Sequence, residues 1–91
     1  MKIVINNCYG GFGLSDEAFG MYKAARPDFD RHDFQIQRND EALVNVVEKL
    51  GVAANGFCAS LKIVEIPDGV EWEIQEYDGF EWVAEKHRTW Y

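Results

Sequence analysis

The chain has 91 residues, enough for one domain with a single core spanning residues 1–91 and small enough that forming a homo-oligomer would bury useful further surface. Its 47% apolar and 14% aromatic content exclude a disordered acidic tail. A formal charge of −7 argues against non-specific binding to nucleic acid, which normally takes a surplus of lysine and arginine, and suits either simple solvation or a basic surface on a protein partner; no sequence-specific nucleic acid is expected.

Lys2-Ile3-Val4-Ile5-Asn6 has the β-branched content and brevity of a buried strand. A glycine-rich turn follows, Cys8-Tyr9-Gly10-Gly11-Phe12-Gly13-Leu14-Ser15. Ser15 is placed to cap a helix, Asp16 and Glu17 complement its dipole, and Ala18, Phe19, Tyr22 and Ala25 form its apolar stripe. The helix must stop before Pro27. Asp28 to Asp33 is a polar connection, and Phe34-Gln35-Ile36-Gln37 alternates as a short strand.

Asn39 or Asp40 caps the clearest helix, in which Leu43, Val46, Val47 and Leu50 recur on one face and Gly51 ends the element. A loop through Ala53-Ala54-Asn55-Gly56 leads to a strand over 60–66, stopped by Pro67-Asp68-Gly69. Val70, Trp72 and Ile74 then alternate with Glu71, Glu73 and Gln75, giving one apolar and one acidic face. Asp78-Gly79 is a tight hairpin centre. A two-residue loop there sets Glu76 opposite Glu81, an unfavourable pairing that requires either a bulge or a nearby cation. Residues 81–88 read as the last strand, with a helix as the alternative because they include good helix formers. The order β-α-β-α-β-β-β predicts an α+β fold: a mainly antiparallel sheet of about five strands with two helices packed on one face.

The glycine turn offers two readings. Backbone N–H groups near Gly10, Gly11 and Ser15 could receive phosphate while Tyr9 and Phe12 stack on a base, or the glycines could simply make a tight strand-to-helix corner. The turn has neither a Walker lysine nor dinucleotide-fold spacing. The closing Lys86-His87-Arg88-Thr89-Trp90-Tyr91 interleaves cations with aromatics, suiting a nucleotide or a subunit contact.

His32 among Asp28, Asp30 and Asp33 reads as a solvated loop, so no metal and no cofactor is expected. Ser15 and Ser60 lack a fixed partner base, and His87 and Glu85 would point to opposite faces, so no enzyme is expected. Cys8 and Cys58 have no metal or redox spacing and read as reduced thiols. Neither a membrane span nor a signal-peptide core is visible, and the expected location is the cytoplasm.

Met1-Lys2-Ile3-Val4-Ile5-Asn6 with Cys8-Tyr9-Gly10-Gly11-Phe12, and Glu76-Tyr77-Asp78-Gly79 with Glu81-Trp82-Val83-Ala84-Glu85-Lys86-His87-Arg88-Thr89-Trp90, resemble a family of short, uncharacterised phage and prophage proteins. The resemblance implies a setting, the host cytoplasm, and no particular activity. By analogy with small phage proteins it directs attention to binding without turnover. The first expectation is sequestration of a nucleotide-derived ligand by Tyr9, Gly10, Gly11, Phe12, Ser15, Lys86, Arg88, Trp90 and Tyr91, with the glycine turn and the closing segment meeting across an oligomer interface. The second is an acidic inhibitor of a host protein, or a DNA mimic, using Glu71, Glu73, Glu76, Glu81 and Glu85.

Overall fold

Ile3, Val4 and Ile5 are buried and form the strand β1 (Lys2–Asn6) in the computed structural model, which describes residues 1–29 and 36–86. The helix α1 (Asp16–Ala25) begins where the sequence requires: Ser15 Oγ accepts from the Ala18 N–H at 3.1 Å, and the chain leaves the helix at Arg26, just before Pro27. Ala18 and Tyr22 are its buried residues, while Ala25 is exposed.

In the helix α2 (Glu41–Leu50), Asp40 rather than Asn39 is the cap, accepting from the Ala42 N–H at 2.9 Å. Leu43, Val46 and Val47 point into the core, and Gly51, at φ 57°, ends the helix and leads into a 3-10 turn over Gly51–Ala54. The strands β2 (Leu61–Glu65), β3 (Trp72–Tyr77) and β4 (Phe80–Glu85) complete the described elements. Residues 81–85 are strand, so the helical alternative does not hold over them.

The fold is α+β, as expected, but among the described residues the strands do not form one five-stranded sheet. They form two antiparallel pairs, β1 with β2 and β3 with β4, with α2 packed against β1 and β2 and α1 against α2. Two local causes are visible. After Ile36 the chain turns at once into α2, with the Asp40 N–H on the Gln37 carbonyl, so among the described residues this segment gives β1 one backbone bond, from the Val4 N–H to the Arg38 carbonyl at 2.8 Å, and no ladder. Phe34 and Gln35, the rest of the expected strand, lie outside the described residues, as do His32, Asp30 and Asp33. Further along β1 the Asn6 N–H donates to the Glu81 carboxylate at 2.8 Å, so a side chain occupies the place where a neighbouring backbone would extend the sheet.

Asp40 also ties the helices together. Its carboxylate accepts from the Tyr22 hydroxyl at 2.8 Å and from Arg26 Nη2 at 2.8 Å. Burial of Asp40 acts to raise its pKa, but the hydrogen bonds from Arg26, Tyr22 and the Ala42 N–H outweigh it and hold the carboxyl below its usual value. Tyr22 is pushed up to about 12, first by burial and then by its hydrogen bond to Asp40. A phenol whose pKa is raised on folding stabilises fully below its unfolded value of about 10 and loses that contribution as pH rises through the folded value. Tyr22→Phe is therefore expected to remove a decline of about 2–3 kcal/mol over this alkaline window, measured by urea unfolding. An identical decline in both proteins would rule this assignment out.

Candidate functional site

The glycine turn is a three-way backbone junction. Gly10 and Gly11 have φ of 139° and 101°, and the turn of the β3–β4 hairpin closes on them through the Gly10 N–H, which donates to the Asp78 carbonyl at 3.3 Å. A Cβ on Gly10 would lie 2.7 Å from Cβ of Cys58, and one on Gly79 would collide with the backbone of Gly10 and Gly11. These glycines therefore do what the corner reading requires: they let three segments approach more closely than side chains permit.

Behind the junction lies a buried polar network. Asn6 is fully buried; its Nδ2 donates to the carbonyls of Cys8 at 2.7 Å and Gly79 at 2.8 Å, and its Oδ1 accepts from the Ser60 N–H at 2.8 Å. Glu81, also buried, takes both terminal nitrogens of Arg38, at 2.5 and 3.0 Å. The Arg38 guanidinium carbon stands 3.7 Å from the centre of the Phe12 ring. The hairpin keeps the two-residue Asp78-Gly79 loop with Glu76 paired to Glu81, so of the two remedies for that conflict the protein uses the cation, which is Arg38. The Glu76 carboxylate turns instead to the Gly79 N–H at 3.2 Å.

Among the described residues, the sequence-predicted site residues separate. Tyr9, Gly10 and Gly11 meet Glu76, Asp78 and Gly79 around an open hollow of about 560 Å³, and the Tyr9 ring lies 5.4 Å from Phe80. Phe12 is covered by Arg38, and Ser15 is engaged as a cap and as a donor to the Ala53 carbonyl at 2.7 Å. Lys86 sits at the opposite end of β4 from the hairpin turn, a strand of six residues or about 20 Å away. Arg88, Trp90 and Tyr91, with His87 and Thr89, lie outside the described residues. The carboxylates of Glu76 and Asp78 at the hollow oppose a phosphate.

The register also corrects the expected acidic face. Glu71 and Glu73 project to one side of the ribbon, Glu76, Glu81 and Glu85 to the other, and Glu81 is buried. The Glu73 side carries aromatics that the sequence reading missed: Tyr77 is 71% exposed and Trp82 41%, with Trp82 Nε1 donating to Gln75 Oε1 at 3.2 Å. The signal was present, because the Asp78-Gly79 turn fixes Gln75 opposite Trp82 and Tyr77 opposite Phe80. With the 63%-exposed Tyr9 at the hairpin end, this side is an acidic, aromatic surface. Among the described residues no group of three or more metal-binding side chains occurs, and no helix is long and apolar enough to cross a membrane. Comparison with protein-family models, curated proteins and solved structures finds no match.

Proposed function

We propose that this protein is a non-catalytic interaction module whose β3–β4 ribbon offers an acidic, aromatic face to a basic surface on another protein. The observation that carries this reading is the exposure of Trp82 and Tyr77 beside Glu73 on one side of a two-stranded ribbon. Exposed aromatics grouped on one face are the usual anchors of protein interfaces, and flanking carboxylates select cationic partners and speed their encounter. Under the phage resemblance that partner is a host protein, and the action is occlusion of its basic surface. Capture from host lysate should weaken at least tenfold with Trp82→Ala and should fall steeply with salt in the unaltered protein, a tenfold loss corresponding to about 1.4 kcal/mol. Capture unaffected by either change would sink the reading.

Nucleotide sequestration is the second reading, supported by Tyr9 standing beside the hollow at the glycine turn. It leaves the cationic contacts to Lys86 and Arg88 and the further stacking to Trp90 and Tyr91, in a homo-oligomer that brings the two ends of the ribbon together. A thermal-shift screen against linear and cyclic nucleotides separates the two: stabilisation by an intact, recoverable nucleotide supports sequestration, and the absence of any shift removes it.

A further inference from the structure

The β3–β4 hairpin has an open edge whose hydrogen-bonding pattern follows from its register. The Lys86 N–H donates to the Glu71 carbonyl at 2.9 Å, which makes these residues a bonded pair at the foot of the ladder. Bonded and non-bonded pairs alternate along an antiparallel ladder. Glu73, Gln75 and Tyr77 therefore bond inward to β4, while Trp72, Ile74 and Glu76 turn their N–H and C=O groups away from it. Among the described residues no strand pairs with this outer edge of β3.

An exposed edge is a template for another strand unless something guards it, commonly a lysine, a proline or a bulge. From Glu71 to Asp78 the chain has none of these; its charges are Glu71, Glu73, Glu76 and Asp78, with no basic residue. That guard is selective. A second copy pairing edge to edge would set carboxylates against carboxylates, whereas a strand bearing arginine or lysine would gain from the same charges. We infer that the outer edge of β3 receives an extended, basic segment of a partner protein as an added strand. The backbone groups of Trp72, Ile74 and Glu76 supply the hydrogen bonds, and the acidic side chains supply the selectivity.

This inference rests on the interaction-module reading and specifies how the module binds. The probe is a short synthetic peptide alternating arginine and valine, followed by fluorescence anisotropy with the full chain. Two twins carry N-methyl groups on alternate amides in opposite phase, so that one of them cannot bond through the edge presented to β3. Strand addition predicts at least a tenfold loss of affinity for one twin, corresponding to about 1.4 kcal/mol. It also predicts slowed hydrogen exchange at the Trp72, Ile74 and Glu76 amides when the parent peptide binds. Ile74→Pro provides a second arm, because the amide it removes points outward and the β3–β4 ladder keeps its bonds; it should lose the peptide while retaining the far-UV circular dichroism of the parent.

Equal binding by the parent and both twins, without new exchange protection, overturns strand addition and leaves the acidic, aromatic face as the binding surface. No binding by the arginine peptide, with host-protein capture still dependent on Trp82, overturns the basic-strand inference alone. Loss of that capture as well removes both readings. Concentration-dependent protection of the three amides without peptide would identify a second copy as the occupant and overturn the basic-partner assignment.

Discussion

Arg38→Met is expected to lower the free energy of unfolding by about 3–5 kcal/mol, because it leaves the Glu81 carboxylate buried without its cation. In a domain whose total stability is about 5–15 kcal/mol, this brings the protein near its unfolding threshold. Adding Glu81→Gln should return most of the loss, since the neutral amide oxygen still accepts from the Asn6 N–H and no charge is stranded. Urea titration of the parent, the two single variants and the double variant gives the coupling directly. A loss below about 1 kcal/mol for Arg38→Met would show that water solvates Glu81 and that the pair behaves as a surface ion pair.

Gly79→Ala should be nearly as damaging, at about 3 kcal/mol. Its φ of 91° strains any side chain, and the added methyl would meet the Gly10 nitrogen at 2.8 Å and the Gly11 nitrogen closer still. The neighbouring glycines provide an internal scale. Gly11→Ala has a positive φ but open space, so only the backbone strain of about 1–2 kcal/mol is expected; Gly13→Ala has neither problem and should stay within about 0.5 kcal/mol. If the three alanine variants unfolded at the same urea concentration, the close approach at the junction would not be maintained in solution.

The features legible in the sequence are those whose causes lie within a few residues. Ser15 and Asp40 cap because their oxygens reach N–H groups two or three positions ahead, and Asp78-Gly79 turns because both residues adopt positive φ. Even the clash of Glu76 with Glu81 could be read from the turn. The identity of the cation could not, because Arg38 is local to neither strand and reaches Glu81 only once the fold is complete. The purpose of Gly10 was hidden for the same reason: its neighbour is Cys58, far along the chain. Among the described residues the single-sheet expectation is not met because edge occupancy is not readable from a strand pattern: Ile36 and Gln37, which alternate like a strand, join no ladder, and β1 ends against the carboxylate of Glu81 instead of another backbone.

The fully buried Asn6 side chain also sets the order of events during synthesis. Its partners are Cys8, Ser60 and Gly79, and its backbone N–H waits for Glu81, so β1 is fully satisfied only after a residue 75 positions further along has been made. Until the β3–β4 hairpin has been made, the outer edge of β1 ends in an Asn6 N–H without its acceptor. A chain closed by contacts between residues so far apart should fold slowly for its size.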